Sequence, residues 1–156
     1  MTGAIAGQLR DVVAASDAYH RAVARALGLG VPETTILVDL GYDGPRTPSQ
    51  LARRVGVTPA SVTAQLDRLE LAGHVVRRAN PRDRRSVLVD LTARGRATAG
   101  RVVAVFTADI AAGTGGIDPP TVAELGRILD RVAHQLEQRA QDERALAADL
   151  AHTPPA

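Results

Sequence analysis

The chain carries Thr47-Pro48-Ser49-Gln50-Leu51-Ala52 and, eleven residues further on, Thr58-Pro59-Ala60-Ser61-Val62. Each run opens with a threonine able to cap a helix and a proline at the first helical position, where a missing N–H is no loss. Gln50 stands at the third helical position, where its side chain can reach back to complete a capping box. Leu51, Ala52 and Val55 give the first helix an apolar side, and Gly56 stops it. Val62, Leu66 and Leu69 form one buried stripe on the second, which Gly73 ends. Two short helices joined by a tight glycine-containing turn are a helix-turn-helix.

The helical period then breaks. His74-Val75-Val76-Arg77-Arg78 and Ser86-Val87-Leu88-Val89-Asp90-Leu91 are rich in β-branched residues and read as two strands. Between them, Ala79-Asn80-Pro81-Arg82-Asp83-Arg84-Arg85 is a polar turn with an Asn-Pro step and three arginines. A hairpin directly after a helix-turn-helix is a wing. The fold class is therefore mainly α with a small β-hairpin wing, a winged helix-turn-helix with further helices at both ends.

On the N-terminal side, residues 4–27 read as a helix. Ile5, Leu9, Val12, Ser16, Tyr19, Val23 and Ala26 recur at alternating steps of four and three, a narrow stripe suited to packing on another helix. Gly28 and Gly30 end it, and Pro32 opens a short apolar helix from Glu33 to Leu40, closed by Gly41. On the C-terminal side Thr92 caps a helix whose apolar face is Val102, Val103, Phe106 and Ile110. After the loop Gly113-Thr114-Gly115-Gly116, Asp118 and Pro119 start a last helix. Its Val122, Leu125, Leu129, Val132 and Leu136 form a second helix–helix seam, and His152-Thr153-Pro154-Pro155-Ala156 is a frayed tail. This organisation makes residues 1–156 one domain, with a winged-helix lobe at 33–91 and dimerisation helices at 4–27 and 92–150.

Charge is distributed unevenly. All 19 cationic side chains are arginines, and the net charge is only +2. Residues 46–101 nevertheless hold twelve arginines against four carboxylates, a local +8, while the flanks carry −6. A basic middle between acidic arms points to a polyanion-binding face, against the alternative of a solvated charged surface. Aromatic residues are limited to Tyr19, Tyr42 and Phe106, too few for stacking single-stranded bases.

Other chemistries are excluded by what the chain lacks. It has no cysteine, hence no disulfide, thiolate metal site, cysteine nucleophile or thiol redox sensor. Its four histidines (20, 74, 134 and 152) show no metal-ligand spacing. Ser16, Asp17 and His20 are only neighbours on one helix, so no catalytic constellation is expected, and no metal or cofactor. The segment Met1 to Gln8 lacks the basic and apolar regions of a signal peptide, and no apolar run approaches the ~20 residues of a spanning helix, so the expected compartment is the cytoplasm.

The chain resembles the MarR family of winged-helix transcriptional regulators. The resemblance is carried by Thr47-Pro48-Ser49-Gln50-Leu51-Ala52, Ser61-Val62-Thr63, Asp67-Arg68-Leu69 and Ala72-Gly73. Above all it rests on Asp83-Arg84-Arg85 followed by Val87-Leu88-Val89-Asp90-Leu91-Thr92 and Gly95, similar to the family's wing signature. It implies a homodimer whose first and last two helices interlock, with two winged helices facing one palindromic operator in double-stranded DNA. It also implies a repressor controlled by a small aromatic or phenolic effector. The rival readings are a ligand-independent dimeric interaction protein and a non-specific DNA-binding architectural protein.

Site residues follow from the helical wheel and the resemblance together. With Val62 at the centre of the buried stripe, Ser61, Ala64 and Arg68 fall away from the core and Gln65 lies at its edge. The N-terminal half of such a helix enters the major groove, where Ser61 and Gln65 can read base edges and Arg68 can reach phosphate. Thr58 caps this helix and can add a phosphate contact from the same terminus, and Thr63 flanks the reading face. Many family members carry a basic residue where Ala64 stands, which implies one DNA contact fewer here. In the wing, Arg82, Arg84 and Arg85 surround Asp83, and arginine suits the focused potential of a narrow minor groove. By the resemblance Asp83 steadies the hairpin and Arg85 reaches DNA, the alternative being a surface ion pair of little energy. Tyr19 and His20 are the effector-pocket candidates, against a role at the core edge or the surface.

Overall fold

The computed structural model describes residues 2–83 and 85–152. In chain order its elements are α1 (Thr2–Leu27), α2 (Val31–Asp43), α3 (Pro48–Val55), α4 (Pro59–Leu71), β1 (Val75–Ala79), β2 (Val87–Leu91), α5 (Ala93–Gly113), α6 (Pro119–Gln141) and α7 (Glu143–His152). Arg84 and the tail residues 153–156 lie outside the described residues. The chain forms two compact units, one up to Ala108 and one from Asp109. No helix among the described residues is long and apolar enough to cross a membrane.

Both Thr-Pro starts form as expected. Gln50 N–H donates to Thr47 Oγ1 at 3.3 Å while Gln50 Oε1 accepts from Thr47 N–H at 2.9 Å, the reciprocal capping box. Thr58 Oγ1 accepts from Ser61 N–H at 3.2 Å. Gly56 ends α3 in the left-handed region at φ 68°, where a Cβ would be strained. The wing is an antiparallel pair with Val75 opposite Leu91 and Ala79 opposite Val87. Arg46 adds a short bridge beside β2, exchanging backbone bonds with Val89 at 3.1 and 2.8 Å.

The core lies in the first unit. Ile36, Leu37 and Leu40 of α2 pack among Leu51 and Ala52 of α3, the Val62, Leu66 and Leu69 stripe of α4, and Val75, Val89 and Leu91 of the wing. Val89 and Leu91 alternate inward along β2, as a half-buried strand requires.

Three local expectations are corrected. Helix α2 runs through Gly41 to Asp43 instead of stopping at Gly41. Gly41 is there for close packing: a Cβ on it would stand 3.3 Å from Ala99 Cβ on α5. Gly44, at φ 75°, is the real terminator, and its N–H closes on Leu40 O. The long last helix divides at Asp142, whose Oδ1 accepts from Ala145 N–H at 3.0 Å and so caps α7. In α1 it is Ala24, not Ala26, that is buried.

The seams read from the sequence are open in the single chain. Ile5 and Val12 of α1 are exposed, α6 buries no residue, and Leu129 is 45% exposed.

Gly95 holds the joint between wing and α5. Thr92 Oγ1 donates to Gly73 O at 2.7 Å and accepts from Gly95 N–H at 3.0 Å, capping α5. A Cβ on Gly95 would come within 2.0 Å of His74 O, a backbone atom that cannot turn away. Gly95→Ala should therefore destabilise the protein by about 1–3 kcal/mol, read as a lower denaturant midpoint, whereas Gly100→Ala, with open space around it, should not.

Candidate nucleic-acid interface

Helix α4 presents its N-terminal half much as the wheel requires. Thr58, Thr63 and Ala64 are exposed and Ser61 is half-buried. The Thr63 hydroxyl donates to Pro59 O at 2.9 Å. Gln65 departs from its expected place at the helix edge: it is 6% exposed. Its Nε2 donates to Ser61 Oγ at 3.2 Å, and its Oε1 is buried without a hydrogen-bond partner among the described residues. The reason is geometric. At about 3.6 residues per turn Gln65 shares a face with Val62, Leu66 and Leu69.

Arg68 has a structural task that was not expected. Its Nε donates to Glu33 Oε1 at 2.5 Å across 35 residues of sequence. Glu33 is buried at the start of α2, and its Oε2 accepts from Gly30 N–H at 2.7 Å. The Arg68 side chain is 62% exposed, so the pair anchors the guanidinium while leaving it accessible. Arg68→Ala strips the buried carboxylate of its cation and should cost about 1–2 kcal/mol, between the values for exposed and fully buried pairs. Denaturant unfolding checks this, and Arg68→Ala combined with Glu33→Gln should recover part of the loss.

The wing tip is built by its own polar side chains. Asn80 Oδ1 accepts from Arg82 N–H at 3.0 Å, and Asn80 Nδ2 donates to Ser86 Oγ at 2.8 Å. Asp83 Oδ1 accepts from Arg85 N–H at 3.0 Å, and Asp83 O accepts from Ser86 N–H at 3.0 Å. Asp83 thus bonds the Arg85 backbone, and no ion pair between Asp83 and the Arg85 guanidinium is present among the described residues. Asn80 and Ser86 were not singled out from the sequence, although Asn-Pro was read as a turn signal.

Arg77 is another structural residue that sequence reasoning passed over. Its Nη2 donates to Asp67 Oδ1 at 2.7 Å, its Nη1 pairs with Glu70, and its backbone N–H donates to Glu70 Oε1. These bonds fasten β1 to α4. The available signal was the three-residue spacing of Asp67 and Glu70 on one helix face.

The basic segment is thereby sorted. Arg46, Arg54, Arg68, Arg77, Arg78 and Arg96 pair with Asp43, Asp39, Glu33, Asp67 with Glu70, and, for the last two, Asp90. Among the described residues, Arg53, Arg82, Arg85, Arg94 and Arg101 have no carboxylate partner. Arg82 and Arg85 stand exposed at the wing tip. Arg84, also expected there, lies outside the described residues.

Tyr19 and His20 line an apolar cleft of about 230 Å³ together with residues of α2 and α5. Phe106 completes an aromatic wall, its ring centroid 5.5 Å from Tyr19 and 6.3 Å from His20. Asp39 and Tyr42 of α2 supply polar groups. Burial pushes the Asp39 carboxyl above the usual carboxylate range, with the Arg54 guanidinium pulling the other way.

Comparison with known proteins agrees with this architecture. The MarR family model matches residues 29–87. The chain is 38% identical over 106 residues to the HTH-type transcriptional repressor Rv2887 of Mycobacterium tuberculosis, covering 68% of this chain and 76% of that one. It is 45% identical over 76 residues to the HTH-type transcriptional regulator YcgE of Bacillus subtilis, a match spanning 48% of this chain and about half, 49%, of that protein. The crystal structure of Rv2887 in complex with salicylic acid superposes with a TM-score of 0.60 at 35% identity, over 80% of this chain and 93% of that one. A MarR family protein from Bacillus stearothermophilus gives 0.76 at 18% identity, over 87% and 95%, a likeness of fold.

Proposed function

Because this chain belongs to the MarR family, we propose that it is a DNA-binding transcriptional repressor that acts as a homodimer on a palindromic operator and is released by a small ligand. The observation that carries this reading is the wing tip. Among the described residues Arg82 and Arg85 are exposed and have no carboxylate partner, beside a recognition helix to which Arg77 is bonded. Exposed guanidiniums on a hairpin whose turn is held by Asn80 and Asp83 suit a minor groove, and the exposed start of α4 suits the adjoining major groove. Thr58, Ser61 and Thr63 are the contacts proposed on α4, and Arg82, Arg84 and Arg85 those on the wing, with Asp83 holding the turn. Arg68 adds phosphate with the guanidinium nitrogens that Glu33 leaves open. Gln65 acts from inside, by holding Ser61.

The division of labour proposed is a winged-helix lobe at 33–91 and dimerisation helices at 4–27 and 92–150. The exposed apolar residues of α1 and α6 support it, because such seams in water call for a partner. The Tyr19–His20–Phe106 cleft is the proposed effector site. Its aromatic wall suits a planar ring, and Asp39 favours a phenolic hydroxyl donor over a second carboxylate. A ligand there acts by stabilising a non-binding geometry. The protein works in the cytoplasm, where its operator is.

The test is a fluorescence-anisotropy titration of the full chain on duplexes from its own promoter region and on scrambled duplexes, at several salt concentrations. Sequence preference with a steep salt slope is expected. A steep slope without preference would leave a non-specific architectural binder, and no binding at low salt would sink the reading. Arg68→Ala should lower the slope by roughly one for each phosphate it no longer neutralises.

A further inference from the structure

Among the described residues, two of the guanidiniums without a carboxylate partner stand on α5. Arg94 and Arg101 are seven residues apart on α5, about two turns, with Ala97 and Thr98 between them on the same face. Together with His74, at the junction of α4 and β1, and Leu27 and Leu29, at the end of α1, they line a cleft of about 310 Å³. Among the described residues no carboxylate lines it. Thr98 is buried, and its Oγ1 accepts from Arg101 Nη2 at 3.4 Å.

His74 is the unusual member. It is 7% exposed, and its Nδ1 is buried with no hydrogen-bond partner among the described residues. Buried polar atoms almost always have a partner, so an orphan in a polar cleft marks a place for one. The backbone of the residue is held on both sides. Its N–H donates to Leu69 O at 2.9 Å, its carbonyl accepts from Thr92 N–H at 3.0 Å, and Gly95 packs against that carbonyl. Burial, and then the charges of Arg94 and Arg101, hold the imidazole below its ordinary pKa. A ring held towards its neutral form, beside two cations that have no carboxylate partner among the described residues, is a site short of negative charge.

We propose that this cleft binds a small oxyanion, its carboxylate or phosphate head held by Arg94 and Arg101 with His74 Nδ1 as the third polar contact. Any apolar body of the ligand lies against Leu27 and Leu29. Arginine's planar fork matches either head group. A DNA phosphate is a poor occupant, because sugars on both sides keep its oxygens from a ring that is nine-tenths buried. The proposal stands apart from the effector cleft at Tyr19 and from DNA binding, and its test contains no DNA.

Histidine ring signals of the full chain are followed by NMR while inorganic phosphate, and separately sodium benzoate, is added. His74→Asn identifies the signal. A saturable shift of the His74 ring is expected, and Arg94→Gln and Arg101→Gln, both at exposed positions, should each weaken binding about tenfold while leaving the melting temperature unchanged. Arg144→Gln, on α7, should bind as the parent does. Phosphate alone would identify a phosphate head, and benzoate alone a carboxylate with an apolar body. If neither probe gives a saturable shift, or the two arginine variants shift like the parent, the site does not exist.

Discussion

Arg82→Ala combined with Arg85→Ala should weaken operator binding by about 1–3 kcal/mol per wing, and a dimer with two wings loses this twice. The melting temperature should not move. Asp83 takes the Arg85 backbone N–H, and Asn80 takes that of Arg82, so both bonds survive truncation to alanine. Neither guanidinium has an ion pair to lose among the described residues. This clean separation does not hold for Arg68, whose removal also unsettles Glu33. Arg144→Ala is the control, since Arg139 pairs with Asp149 and donates to Ala145 O, tying α6 to α7. Anisotropy titrations at matched salt decide the matter. If the double variant binds the operator as Arg144→Ala does, the wing is a solvated surface.

Leu129→Asp with Val132→Asp should abolish the dimer and with it high-affinity operator binding. The two residues sit one after the other on the α6 seam, where Leu129 is exposed and Val132 half-buried in the single chain. Across a symmetric interface the substitutions would place unpaired carboxylates against their own copies. Burying even one unpaired charge costs several kcal/mol, so the effect exceeds that of any single side chain in the wing. Sedimentation should show a dimer for the parent and a folded monomer for the variant, with helical content kept, because α6 buries neither residue fully. A variant that sediments as a full dimer, or a parent that is a monomer, would remove α6 from the interface.

Most of the architecture was legible because it rests on short-range rules. Capping threonines, prolines at the first helical turn and stopping glycines act within four residues, and α3 and α4 formed at the places they mark. The wing was legible from β-branched runs on either side of an Asn-Pro turn, and the stripe Val62, Leu66, Leu69 from helical spacing alone. Tyr19 and His20 do border a cleft, although nothing in the sequence placed Phe106 beside them.

Local rules alone specify the winged helix-turn-helix, its caps and turns, and the many arginines of its middle. Packing settles which of those arginines, among the described residues, lack a carboxylate partner. Arg68 meets Glu33 across 35 residues and Arg54 meets Asp39 across 15, pairings that no local pattern announces. Gly41 looked like a helix stop until Ala99 of α5 came against it. The physical reason is the same in each case. Backbone conformation is set by neighbours in the chain, whereas burial and charge pairing are set by neighbours in space, and these exist only once the helices have packed.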